Sequence, residues 1–378
     1  MQRAASTMSH SSPFSPQEMQ GRLARIRSEM AARHLDAYIA TNQANVRYAT
    51  GFRGEPHTLL LTASDAVLYT SFRTLPWATE QTASLQTSLE LSTQAPPLEN
   101  IQQRLAGQSL TIGVEQGLSH SAFLKLSQQF ASHTLQPADP IEHARREKSP
   151  AEISLLEASQ RLNEEVFAAV IPQIQPALSE RAVQGLMLAE MAKREEIDGY
   201  SFNPIVAVDG NAWEIHHLPD NTRIQKDSIV LLDLGIVYQG YASDMTRTLC
   251  MGKATARMRE VYDTVREAQD AAIALMQPGA QTHDIDQTAR EVITRAGHAR
   301  GFTHGLGHSI GLETHDPGLN LSPFTPNEVL TAGMAFTVEP GIYLENEFGV
   351  RTEDVLIIGE ESPKNITRQS KDLLELNF

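Results

Sequence analysis

The chain has 378 residues, with 31 Lys and Arg against 46 Asp and Glu, for a formal net charge of −15. That balance argues against a nucleic-acid binder, which needs a basic footprint, and no stretch reaches the ~20 apolar residues that span a bilayer. The single cysteine, Cys250, excludes a disulfide framework and a thiolate metal cluster, so any bound metal must rest on His, Asp and Glu.

Residues 1–14 are Ser-rich without periodicity and read as a disordered tail, with no apolar run of the kind a secretory signal carries. Ser15-Pro16-Gln17-Glu18 is a helix start: Ser15 suits the N-cap, Pro16 the first turn and Glu18 the capping box. Met19, Leu23, Ile26 and Met30 then recur at helical spacing. Short apolar runs at 37–40, 59–61, 66–69, 89–91 and 110–114 alternate with helical segments near 75–84, 97–106 and 120–130. This alternation predicts a smaller α/β domain over residues 15–146.

Ser149-Pro150-Ala151-Glu152 repeats the start signal and opens a second domain, residues 147–378. A helix is predicted to about 170, and a second from Ser179-Glu180 to about 193. Strands follow at 202–208, 229–235 and 241–249, then helices at about 257–275 and 283–296, then strands at 334–343 and 350–358. Helices and strands are segregated, so the expected class of this domain is α+β.

Within the nearly all-apolar strand 229–235 stands one carboxylate, Asp233. A buried carboxylate is costly unless paired or bound to a cation. With a two-residue turn at Tyr238-Gln239, Asp244 on the return strand would sit directly opposite it. The second hairpin repeats the arrangement: a three-residue turn Glu345-Asn346-Glu347 would oppose Glu339 and Glu353. One acidic pair in a hairpin is ordinary. Two pairs within apolar strands call for a remedy, because facing like charges destabilise a sheet. Two divalent cations would neutralise four carboxylates and could clamp a water between them at a spacing of ~3.5–4 Å. Oxygen ligands with one or two His favour hard or borderline metals.

His304, His308 and His315 crowd one glycine-rich segment, whereas the pair His216-His217 is uninformative on its own. Trp213 could line a pocket or the core, and Asp354, beside Glu353, should point to the opposite face of a regular strand.

The segments VAVDGNAWEIHH, VLLDLG, GYASDMTRTLCMG, GFTHGLGHSIGLETHD, MAFTVEPGIY and GVRTEDV together resemble the M24 "pita-bread" metallopeptidases, the family of methionine aminopeptidase, aminopeptidase P and prolidase. The first domain resembles the creatinase/prolidase N-terminal domain through RLARIRSEMAARHLDAYIATNQANVRYATGF and the join IEHARREKSPAEISLLEAS. The resemblance implies a pita-bread catalytic domain on the aminopeptidase P/prolidase branch. By position it makes Asp233, Asp244, His308, Glu339 and Glu353 the ligands of a dinuclear centre. It puts His216, His304, His315 and Arg351 where the family has substrate-binding and proton-transfer residues.

The same resemblance implies two divalent metal ions, manganese first, with cobalt or zinc as alternatives. It implies cleavage of the Xaa–Pro bond at the N-terminus of peptides or in dipeptides by a metal-bridging hydroxide, with Glu339 as general base. The substrate is then a small peptide with proline second, and the protein a cytoplasmic homodimer without nucleic-acid or membrane partners. Three departures touch specificity: Asp227 for a common Gly, Thr314 for an aliphatic residue, and Asp316 for Glu. They leave open a relative acting on a non-peptide amide or osmolyte, ectoine-hydrolase-like or sulfonium-lyase-like. A non-catalytic binding module is the third reading.

Overall fold

The computed structural model describes residues 12–55 and 57–377. The chain divides into two compact units between Arg145 and Arg146. Residues 1–11 of the expected tail lie outside the described residues, but Phe14 does not behave as a tail. It is buried, with the Arg22 guanidinium 3.8 Å over its ring.

In the first unit, helix α1 (Pro16–Ala32) starts at the Ser15 cap and buries Met19, Leu23, Ile26 and Met30, the stripe its periodicity predicts. Strands β1 (Ala37–Ala40), β2 (Thr58–Thr62), β3 (Ala66–Tyr69), β4 (Glu90–Ser92), β5 (Thr111–Glu115) and β6 (Thr134–Ala138) form one mixed sheet in the order β4-β3-β2-β1-β5-β6. Helices α2 (Gln43–Thr50), α3 (Leu75–Gln81), α4 (Pro97–Arg104), α5 (His120–Gln129) and α6 (Pro140–Arg145) connect or flank it. The core joins Ile39, Leu60, Val67 and Ile112 to Leu126 and Phe130. Strand β6 carries no apolar run because it is an edge strand, and there Pro137 is tolerated.

The second unit opens with α7 (Pro150–Val170), begun by a complete Ser149/Glu152 capping box, and α8 (Glu180–Ala192), capped by Ser179. The strands that follow are β7 (Ile197–Tyr200), β8 (Ile205–Val208), β9 (Ile229–Leu234), β10 (Ile236–Tyr238), β11 (Tyr241–Ala242) and β12 (Met245–Met251). Then come α9 (Ala256–Ile273), α10 (Thr282–Arg295), β13 (Gly307–His308), β14 (Asn320–Leu321), β15 (Ala335–Val338) and β16 (Gly341–Leu344). Strands β17 (Phe348–Arg351), β18 (Asp354–Ile358), β19 (Pro363–Asn365) and β20 (Leu374–Leu376) complete it.

The main sheet runs β20-β12-β9-β8, which makes β9 a central strand. One apolar cluster packs Leu162, Val166, Val183 and Met187 of α7 and α8 against Val230, Leu232 and Leu249 of that sheet. Another joins Val261, Val265, Ile285 and Ala289 of α9 and α10 to Phe336, Val338, Leu356 and Ile358. Asp227, just before β9, has φ +72, a left-handed conformation that glycine adopts at least cost and Asp tolerates.

The two acidic hairpins differ from each other. In the first, the turn falls one residue later than expected, at Gln239-Gly240, with φ of +44 and +75. Two successive left-handed residues suit the twist of a two-residue hairpin. The ladder therefore pairs Tyr238 with Tyr241 and Asp233 with Thr246, so Asp233 faces Thr246 rather than Asp244. The second hairpin has the expected register: Val338 pairs with Asp354, Gly341 with Arg351 and Leu344 with Phe348. Asn346, with φ +58, sits at the middle of its three-residue turn. The ladder breaks between β15 and β16, and Glu339 and Glu353 face each other across that break.

Candidate metal centre

Asp233, Asp244, His308, Glu339 and Glu353 line one cavity of about 650 Å³, together with His216, His304, His315 and Arg351. All nine residues singled out in the sequence meet there. Ile205, Ile215, Phe202, Leu218 and Pro219 form its apolar wall.

The carboxylates are presented from several elements. Asp233 stands in the central strand β9, laddered to β8 through Ile205 and to β12 through Thr246. Asp244 follows β11 where the strand is interrupted, and a buried amide from α7 holds its backbone. The Gln160 Nε2 donates to the Asp244 carbonyl at 3.1 Å, and the Asp244 N–H donates to Gln160 Oε1 at 3.3 Å. On the same helix, Ser159 donates to the carbonyls of Ile236 and Tyr241, and Asn163 to that of Leu234.

Glu339 and Glu353 are served from α9. Gln269 Nε2 donates to the carbonyls of Val338 at 2.9 Å and Thr352 at 3.3 Å, the residues just before the two carboxylates. Behind Glu353, the buried Arg247 holds its carbonyl at 2.6 Å and pairs with Asp354 at 2.8 Å. Asp354 therefore points away from the cavity into a structural ion pair.

His308 enters on β13, where an added Cβ at Gly307 would meet the Thr337 carbonyl oxygen at 2.0 Å. Only glycine permits this approach. His308 Nδ1 lies 3.1 Å from the Ser309 carbonyl, which fixes the proton on Nδ1 and leaves the Nε2 lone pair facing the cavity. That Nε2 is 3.4 Å from Glu339 Oε1 and 3.8 Å from Asp244 Oδ2. Donor atoms of Asp244, His308 and Glu353 all lie within 4.8 Å of one another.

Arg351, 2% exposed, is the cation among these carboxylates. Its Nη2 lies 2.5 Å from Asp233 Oδ2, Nε donates to Thr246 Oγ1 at 3.0 Å, and Nη1 donates to the Tyr343 hydroxyl at 3.0 Å. Thr246 in turn donates to Glu353 Oε2 at 2.7 Å. His304 Nε2 is 2.9 Å from the same Tyr343 hydroxyl.

Electrostatics matches a site built for cations. Burial pushes Asp244 well above the usual carboxylate range, and the charges of Glu353, Asp233 and Glu339 push it further. Glu353 is raised for the same reasons, burial first and then Glu339 and Asp233. Burial lifts Glu339 to about 7 despite the opposing charge of Arg351. Burial drives both His304 and His308 down to about 3, so their rings are neutral, the form in which imidazole binds a metal. Asp233 Oδ1 is buried with no hydrogen-bond partner among the described residues. An orphaned carboxylate oxygen among four carboxylates and a neutral imidazole fits a hard or borderline divalent cation.

Residues 154–360 match the profile described as metallopeptidase family M24, and residues 22–147 match the creatinase/prolidase N-terminal domain. The chain belongs to metallopeptidase family M24. It is 34% identical over 258 residues to an Xaa-Pro dipeptidase of Lactobacillus helveticus, covering 68% of this chain and 69% of that protein. It is 30% identical to an uncharacterised peptidase of Bacillus subtilis (strain 168), covering 94% of this chain and all of that one. The solved Xaa-Pro dipeptidase from Bacillus anthracis superposes with a TM-score of 0.87 at 29% identity, covering 95% of this chain and 100% of that chain. The fold is thus that of prolidases, with a creatinase-like first domain and an M24 catalytic domain.

Thr246, Tyr343, Gln160 and Gln269 were not singled out by sequence reasoning. The signal for the glutamines lay in a buried helix face interrupted by amides. Trp213 lines neither the core nor the cavity: it is 40% exposed and borders a separate depression with Tyr343 and Arg300. Thr314 donates to the Ser201 carbonyl at 3.1 Å, and Asp316 is buried in an ion pair with Lys148 at 2.9 Å. Among the described residues, no helix is long and apolar enough to cross a membrane.

Proposed function

We propose that this M24 metallopeptidase hydrolyses the Xaa–Pro bond at the N-terminus of small peptides or in dipeptides, using two divalent metal ions held by Asp233, Asp244, His308, Glu339 and Glu353. The observation that carries this reading is the buried carboxylate set with the orphaned oxygen of Asp233. When bound, the two ions supply Lewis acidity and an activated water.

An Xaa–Pro bond is a tertiary amide, so its leaving nitrogen must be given a proton. Glu339, whose Oε1 lies 3.4 Å from His308 Nε2 in the cavity, is suited to take a proton from water and deliver it to the proline nitrogen. His216 and His315 face the cavity as N–H donors for the developing oxyanion. Arg351 holds Asp233, and Tyr343 couples Arg351 to His304, so these side chains orient the site as a unit. The apolar wall around Phe202, Ile215 and Leu218 suits the proline ring or an apolar Xaa side chain. Manganese, a homodimer and a cytoplasmic location belong to the same proposal.

The test is a substrate panel in Mn²⁺: Gly-Pro, a Gly-Pro-led tripeptide, Gly-Ala and a non-peptide amide. Cleavage confined to the proline peptides is expected, and the ratio of the first two separates dipeptidase from aminopeptidase. Turnover of the non-peptide amide alone would overturn the reading.

A further inference from the structure

His216, Leu218 and Pro219 reach the cavity from a stretch without regular structure between Trp213 and β9. What fixes this stretch lies on its other side. Glu180, the first residue of α8, is fully buried and turns its carboxylate back toward the loop. Its Oε1 accepts from the Val208 N–H at 2.8 Å and Asn211 Nδ2 at 3.0 Å. Its Oε2 accepts from the Asp220 N–H at 2.9 Å and lies 2.8 Å from His217 Nε2. His217 Nδ1 lies 3.1 Å from Glu214 Oε2.

Glu180, His217 and Asp220 gather as a cation site would, but four donors already occupy the Glu180 carboxylate. The arrangement is a bridge instead. A ring with a carboxylate at each nitrogen donates from both, which is the imidazolium form. Burial pulls His217 down, but its bonds to Glu214 and Glu180 outweigh that and hold it above its ordinary value. With both nitrogens engaged, the plane of the ring is fixed, and with it the peptide that joins His217 to His216.

We propose that the Glu180–His217–Glu214 bridge is a positioning device: it presents the neighbouring His216 to the reacting centre. The proposal rests on the reading above, in which His216 acts on the substrate. A catalytic donor misplaced by ~1 Å can cost about 100-fold in rate. His217→Leu should therefore lower kcat at least about tenfold at unchanged KM and metal content. Its partner Glu214 is 58% exposed on its side chain, so Glu214→Gln tests the same bridge without threatening the fold, and should lower kcat a few-fold.

The experiment is a double-mutant cycle with His216→Ala in the full-length, Mn²⁺-loaded enzyme, on Gly-Pro and the Gly-Pro-led tripeptide. Positioning predicts that His217→Leu and Glu214→Gln cause no further loss once His216 is gone. Losses that multiply, or full activity in His217→Leu, would overturn it. Wild-type enzyme that cleaves neither peptide overturns the proposed function instead. A crystal structure of the His217→Leu or Glu214→Gln protein tests the bridge without any substrate: His216 should shift by about 1 Å, and an unmoved ring overturns the positioning role.

Discussion

Arg351 grips Asp233 through one guanidinium nitrogen, Nη2 to Oδ2 at 2.5 Å, while Oδ1 of the same carboxylate is buried without a hydrogen-bond partner among the described residues. One oxygen is used to hold the side chain and the other is left over. Removing the cation leaves a buried carboxylate unpaired, which costs about 3–5 kcal/mol. Arg351→Met should therefore lower the stability of the metal-free protein by about that amount in urea denaturation. The deficit should narrow on metal loading. Equal stability of the metal-free proteins would count against the pairing.

Thr246 Oγ1 donates to Glu353 and accepts from Arg351 Nε, so one hydroxyl orders two members of the site. Thr246→Val keeps the shape and removes both bonds, whereas Thr246→Ser keeps them. Groups that orient metal ligands typically account for about 10- to 100-fold in affinity. Calorimetric Mn²⁺ titration should show that loss in Thr246→Val and near-normal binding in Thr246→Ser.

In the metal-free protein, burial lifts Glu339 from 4.5 to about 7, and Asp244 and Glu353 are raised in the same direction. Between those pH values these three carboxylates bind more protons folded than unfolded, so their contribution falls as pH rises, while the neutral His304 and His308 contribute with the opposite sign. The contribution is complete below about pH 4.5 and lost as pH climbs through 7. Measured against Glu339→Gln, which lacks the titrating carboxylate, the Tm of EDTA-treated wild-type protein should drop over this interval. Because cations compete with those protons, the stabilisation by Mn²⁺ should be larger at pH 8 than at pH 5. Equal stabilisation at both values would contradict this account.

Gln160 and Gln269 serve opposite sides of the cavity in the same way, each reading backbone beside a carboxylate. Replacing either with Leu strands buried polar groups at about 1–3 kcal/mol apiece. Gln160→Leu, which frees Asp244 and Thr367, should lose about 3 kcal/mol in chemical denaturation. A loss under ~0.5 kcal/mol would show that water replaces the amide.

Much of this was legible because the controlling physics is local. Ser15 and Ser149 mark helix starts by capping chemistry, and the register of the second hairpin follows from the symmetry about Asn346. The first hairpin was misread because its register depends on whether Gln239 accepts a left-handed conformation, which composition does not reveal. Ser159, Gln160 and Asn163 were missed because polar side chains on an amphipathic helix look like its wet face until a strand is seen to need them. Glu180 enters the sequence reading only as part of a helix start, and its reach to His217 spans 37 positions in sequence.

The amides, hydroxyl and glycine that hold this site grasp main chain. Asp244 is fixed through its own N–H and carbonyl, Glu353 through its carbonyl, Glu339 through the Leu306 carbonyl, and His308 through the Thr337 hydroxyl. A frame that registers only Cα positions is blind to what the side chains carry. A ligand held by main chain alone, Asp244 above all, could be exchanged on a scaffold that would scarcely register the change, whereas Asp233 and Glu353 are also gripped at their carboxylates by Arg351 and Thr246.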